Sequence, residues 1–296
     1  MFGTADKFMI NFADISIPCS DGYELKGTLY QATETKAAIL FGPATGIRRT
    51  FYHSFAKHLA SFGYAILTFD NRGIGDSKGE SLNSVSASLV NWGKLDMTAG
   101  LEVLKRRFPD VDYHLLGHSA GGQLIGLMDN CLDLKSFFNV ACSSGSIHNA
   151  RYPFKFSSFF FLNIFLPLSN LIFGHTKSGL IGMGESLPKQ VAADWRRWCN
   201  GRGYVKVDFD KKIKEHFYNQ MAIPSLWLHA TDDEIANLAN VKDMIRIFPN
   251  IESRIISLDP KALGFQEIGH MKFFSSKKKV LWQHAVDWFE HQYKNS

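Results

Sequence analysis

Short apolar runs at residues 37–41, 64–69, 113–116 and 137–141, each bounded by Gly, Asp, Asn or Ser, alternate with segments long enough to be helices. Runs of this length suit strands buried on both faces, and strands separated by helical segments suit a parallel sheet assembled from βα units. The alternation therefore predicts an α/β architecture. Two antiparallel strands are expected ahead of it, around Asp21-Gly22, a dipeptide that supplies positive φ in tight hairpins. Within residues 49–62, Phe51, Phe55, Leu59 and Phe62 recur at helical spacing, and the helix predicted over 89–108 stops at Phe108-Pro109. Strand patterns resume at 225–229 and 251–258, and a last helix over 278–293 buries Leu281, Ala285, Trp288 and Phe289 on one side. Residues 146–222 break the rhythm. They read as an inserted hydrophobic lid or cap between two parts of one core, 1–145 and 223–296.

With 296 residues, 45% of them hydrophobic and 21% charged, the chain can bury a large core without disulfides or metals. Thirty-three Lys and Arg oppose 28 Asp and Glu, a formal charge of +5 spread along the chain, with no basic stripe interleaved with aromatics. That pattern argues against nucleic acid as a partner. Cys19, Cys131, Cys142 and Cys199 are far apart and form no C-x-x-C, which favours a reducing compartment and a cytoplasmic location. Asp6, Lys7 and Asp14 interrupt the first residues, so no secretion signal is expected there. Residues 156–173 are rich in Phe and Leu but carry Asn163, Pro167, Ser169 and Asn170. A spanning helix needs about 20 predominantly apolar residues, so no transmembrane segment is expected, and contact with a membrane surface stays open.

The chemistry centres on Gly117-His118-Ser119-Ala120-Gly121, lying between a predicted strand and a predicted helix. In that context G-x-S-x-G sets its serine on a strained turn above the sheet, and the flanking glycines let the two backbones crowd together. A serine hydroxyl is a poor nucleophile near neutral pH, so it requires a histidine base and a carboxylate to orient that base. Both follow in the order such a sheet needs. Asp232, Asp233 and Glu234 come after the strand at 225–229, and His270 comes after the next strand. These positions lie at the carboxyl ends of late strands, where open α/β sheets bind ligands.

Together with Asp70-Asn71-Arg72-Gly73-Ile74-Gly75-Asp76-Ser77, these motifs resemble the α/β-hydrolase fold over nearly the whole length of the chain. That fold has a mostly parallel central sheet with helices on both faces. Pro43 to Gly46, Asp194 to Cys199 and Gly269 to Phe274 resemble, more narrowly, a poorly characterised bacterial group of predicted hydrolases. The resemblance implies Ser119 as nucleophile, His270 as base and then acid, and Asp233 as the orienting carboxylate. Asp232 is its rival by one residue. The resemblance further implies an oxyanion hole formed by the N–H of Ala120 and a second N–H from the loop after residue 41, with Ala44 preferred and Thr45 the alternative. Pro43 cannot donate. The expected reaction is acyl transfer from a carboxylic ester or thioester with an apolar acyl or alkyl part. An acyltransferase with the same triad and a non-catalytic ligand- or partner-binding module are the other readings.

No metal or organic cofactor is required by this chemistry. Gly73-x-Gly75 is read as a turn, because Lys78 stands where a dinucleotide fingerprint needs its third glycine. His53 and His58 are five residues apart, about 140° around a helix, and are read as packing or surface groups. His118 is read as a packing residue or a support of the site, and His229 as a core histidine. The aromatic groups at 159–161 and 195–198 suit both the packing of the insertion and an apolar pocket over Ser119. Oligomeric state is left open.

Overall fold

The computed structural model describes residues 9–295, so Asp6 and Lys7 lie outside it. Two strands, β1 (Ile10–Pro18) and β2 (Glu24–Ala32), pair antiparallel around the expected turn, where Gly22 adopts φ 84°. The βα units follow as β3 (Ala37–Gly42), α1 (His53–Ala60), β4 (Tyr64–Phe69), a helix made of α2 (Leu89–Asn91) and α3 (Thr98–Arg107) joined by a π-helical segment, β5 (Asp112–His118), α4 (Ala120–Gln123) and β6 (Leu134–Val140).

Residues 146–222 lie between β6 and the next strand of the main sheet. They hold α5 (Phe154–Phe160) and α6 (Leu166–Phe173), a two-stranded pair of β7 (His175–Thr176) and β8 (Leu187–Pro188), and α7 (Lys189–Asn200). The core then resumes with β9 (Pro224–Ala230), α8 (Leu238–Ile245), β10 (Glu252–Leu258) and α9 (Gln283–Asn295).

The main sheet has eight strands in the order β1-β2-β4-β3-β5-β6-β9-β10. All neighbours from β4 to β10 run parallel, and only the β1–β2 and β2–β4 pairings are antiparallel. Every residue of β3 and β4 is buried, as strands covered on both faces must be. The carboxyl ends of β3, β5, β6 and β9 lie side by side, and the loops that leave them build the site.

Residues 156–173, expected to fall short of a spanning helix because of their polar residues and Pro167, belong instead to one continuous helix of 20 residues, Phe154–Phe173, whose most apolar stretch has a mean hydropathy of 1.7, enough by length and composition alone to cross a membrane. The turn before Pro167, Phe161–Phe165, is π-helical. Widening at that point accommodates a residue that lacks an N–H and crowds the preceding turn. Nor is the segment a buried one, since 22% of it is buried.

Candidate active site

Ser119 alone makes the turn between β5 and α4, with φ 49° and ψ −114°. Few L-residues hold such a backbone, and it persists only when the surroundings impose it. Here the imposition is close approach. A Cβ on Gly121 would stand 1.9 Å from the carbonyl oxygen of Gly42, and one on Gly117 would stand 2.4 Å from the Cα of Gly122. The two glycines that flank Ser119 in the motif thus let α4 press against β3 and β5. Ala120 opens α4, at the end of the helix where N–H groups lack intrahelical acceptors.

Asp232 and Asp233 leave β9 together and take different partners. Asp233 Oδ2 is 2.8 Å from His270 Nδ1, and its Oδ1 accepts the N–H groups of Ile235 and Ala236, both at 2.9 Å. Burial alone would push this carboxyl up; the His270 ring and the two N–H donors outweigh it and hold Asp233 below the usual carboxylate range. Asp232 accepts from the N–H groups of Ile268 and Gly269, both at 2.9 Å. Asp233 therefore orients the imidazole, while Asp232 fastens the loop that carries it. Ser119 and His270 line one cavity of about 260 Å³, without a direct hydrogen bond between them.

A buried chain of hydrogen bonds joins the β3 loop to the histidine loop. The N–H of Ala44 donates to the Tyr52 hydroxyl at 3.0 Å, leaving the hydroxyl proton for His118 Nδ1 at 2.9 Å. His118 Nε2 in turn donates to the His270 carbonyl at 2.9 Å. Burial pushes His118 down to about 3, so the ring stays neutral and this tautomer is fixed. Ala44, preferred as the second oxyanion donor, and its alternative Thr45 both line the cavity, but the Ala44 N–H is engaged by Tyr52.

The Asp70 to Ser77 loop forms a turn, as expected, and it braces the β3 loop. Asp70 accepts the Arg49 N–H at 2.6 Å, the Asp76 N–H at 3.1 Å and the Arg49 guanidinium. Arg72 bonds Asp96 through both its N–H, at 2.8 Å, and its Nε, at 2.6 Å, and reaches Asp21 at 2.6 Å. Buried charges of this kind hold only because each is paired.

Residues 146–222 supply the other wall of the cavity through Met183, Trp195, Cys199 and Tyr204. A second cavity of about 310 Å³ adjoins it, sharing Gly145, Met183, Trp195, Cys199 and Ile235, and runs beneath Phe154, Phe161 and Phe165. Asp194, in the same aromatic segment as Trp195, is buried and bonds Arg197 at 2.7 Å, so that segment combines an internal anchor with a cavity wall.

Sequence reasoning missed Tyr52, Gln123 and Tyr204. Gln123 lines the cavity, accepts from the Tyr204 hydroxyl at 2.6 Å and donates to the Ser143 carbonyl. Its position four residues after Ser119, one turn along the helix, was the available signal. Elsewhere, His229 bonds Ser257 at 2.7 Å, His53 bonds Tyr30 at 2.9 Å, and His58 packs against Trp282, all apart from the cavity. All four cysteines are free and buried.

A hydrolase family model described as serine aminopeptidase, S33, matches residues 33–128. No curated relative matches the chain. Among solved structures, the chain is similar to a soluble variant of monoglyceride lipase from Saccharomyces cerevisiae, with TM-score 0.66 and 14% identity over 98% of this chain and 97% of that one. The esterase domain of a Rhodothermus marinus protein gives TM-score 0.57 and 18% identity over 94% and 97%. An esterase of Pyrococcus furiosus gives 0.57 and 12% over 95% and 91%. At these identities the structural likeness speaks for the fold. Together with the eight-stranded sheet, it gives this chain the α/β-hydrolase fold, and the hydrolase family model matches the part of that fold from residue 33 to residue 128.

Proposed function

We propose that the protein is a serine hydrolase that cleaves a carboxylic ester or thioester with an apolar acyl or alkyl part. The Ser119 hydroxyl attacks the carbonyl carbon and gives its proton to His270 Nε2, while Asp233 holds Nδ1–H and stabilises the resulting imidazolium. The oxyanion of the tetrahedral intermediate is met by the N–H groups of Ala120 and Thr45. Collapse expels the alcohol or thiol with a proton from His270, and water then repeats the sequence on the acyl-serine. The apolar part of the substrate occupies the cavity beneath the insertion, which acts as a lid.

The observation that carries this reading is the 2.8 Å contact between Asp233 and His270, with that histidine in the same cavity as the strained Ser119. A fluorescent fluorophosphonate is expected to label the wild type and neither Ser119→Ala nor His270→Ala. With a series of soluble esters, kcat/KM should rise by up to about 3–4-fold per added methylene until the 310 Å³ cavity fills, given about 0.8 kcal/mol per buried methylene. Absence of labelling in well-folded wild type would sink the reading.

A further inference from the structure

The helix Phe154–Phe173 is inside out. Phe156, Phe160, Ile164, Leu168 and Ile172 recur every four residues and are exposed, Phe156 to 72% and Ile172 to 67%, while neighbouring Leu171 reaches 80%. Asn163, Ser169 and Asn170 face the protein. Asn163 bonds Asn200 at 3.0 Å, Ser169 bonds the His175 carbonyl at 3.2 Å, and Asn170 accepts from Thr176 at 2.7 Å. A helix at a water boundary carries the opposite pattern, so this face is built for an apolar surrounding.

Charge decides which surrounding. Arg151 and Lys155 stand at one end of the helix beside the exposed Tyr152, and Lys177 stands at the other, its ammonium 3.8 Å from the centre of the Phe173 ring. Cations and aromatic rings at the two ends of an apolar face match the boundary between lipid tails and headgroups. Residues 146–200 hold six Lys and Arg against Glu185 and Asp194. Both acids are engaged, Glu185 by Arg48 and Asp194 by Arg197. Two copies packed face to face would oppose like charges, whereas an anionic lipid surface neutralises them. The inward hydrogen bonds keep the helix flat along the body, because a membrane-spanning pose would break them. The cavity beneath the helix continues into the one that holds Ser119.

We propose that Phe154–Phe173 docks its outer face in the interface of an anionic lipid bilayer, and that a single-chain lipid ester passes from there through the adjoining cavity to Ser119. The docking stands on the surface alone; the delivery rests on the hydrolase reading above. The test uses the full chain in flotation with vesicles of phosphatidylcholine and phosphatidylglycerol in equal parts, against phosphatidylcholine alone.

Wild type and Ser119→Ala are expected to float equally with the mixed vesicles, and less in high salt. The triple variant Phe156→Ser, Leu168→Ser, Leu171→Ser should lose at least about tenfold in vesicle affinity. It should keep its melting temperature and its turnover of a soluble short-chain ester, but lose turnover of a monoacyl ester embedded in vesicles. A second variant, Arg151→Gln, Lys155→Gln, Lys177→Gln, should weaken binding to the mixed vesicles more than to phosphatidylcholine. No flotation of wild type overturns the docking. So does a dimer in sedimentation velocity that the triple variant on the helix face splits while vesicles bind neither form. Flotation without turnover of any ester would leave the docking standing and remove the hydrolase reading.

Discussion

Asp232 and Asp233 differ by one position along the chain and by their whole role in the site. Asp233 faces the His270 ring, whereas both oxygens of Asp232 are occupied by the Ile268 and Gly269 N–H groups. Replacing Asp233 with Asn keeps the shape and removes the charge that stabilises an imidazolium, so kcat is expected to fall by about 10³–10⁴-fold with little change in KM. Asp232→Asn sets an amide NH₂ against a backbone N–H. The expected result is a loss of about 1–3 kcal/mol in stability and a drop in kcat on the order of tenfold, as the histidine loop loosens. Steady-state kinetics and denaturant melts on both variants check this, and equal losses of kcat would refute the division of roles. Spacing favoured Asp233 without deciding it, because adjacent residues in a loop diverge by backbone torsions that no pattern of spacing encodes.

At the scale of elements, the strand-turn-helix around Ser119 was legible because its demands are local. Glycines at fixed offsets and a strand run before them leave few alternatives. Gly121 tests that claim directly, since an added Cβ meets the backbone of Gly42, which cannot rotate away. Gly121→Ala is expected to cost about 1–3 kcal/mol and to depress activity through displacement of α4, read as a lowered melting temperature together with weaker fluorophosphonate labelling. The length of the apolar helix that holds residues 156–173 was underestimated for the converse reason. Asn163, Pro167, Ser169 and Asn170 look like breakers in sequence, but the body of the protein supplies partners for the polar side chains and a widened turn accepts the proline. Tertiary contacts outweighed local propensity there.

For the molecule as a whole, buried His114 contributes to the response to acid. Burial pushes His114 down to about 4, in a site where it bonds Ser136 and packs against Phe289. The unfolded chain takes up a proton on this ring as pH drops below about 6.5, and the folded chain does not, so stability falls between about pH 6.5 and 4. Between pH 7 and 5 the wild type should therefore lose about 2 kcal/mol more than His114→Gln in denaturant melts. A difference between the two proteins that does not change with pH would show that His114 titrates normally in the fold.

The order of strands and helices and the choice of Ser119 and His270 as candidates follow from the sequence, because each rests on periodicity or on a turn whose requirements span a few residues. The partner of His270, the engagement of the Ala44 N–H by Tyr52 and the neutral His118 link between the two loops were decided by tertiary structure. So was the outward turn of the apolar face of Phe154–Phe173. Each of these depends on which groups from distant parts of the chain meet, at which atom and out of reach of water. Packing fixes such meetings, and local sequence pattern carries no record of them.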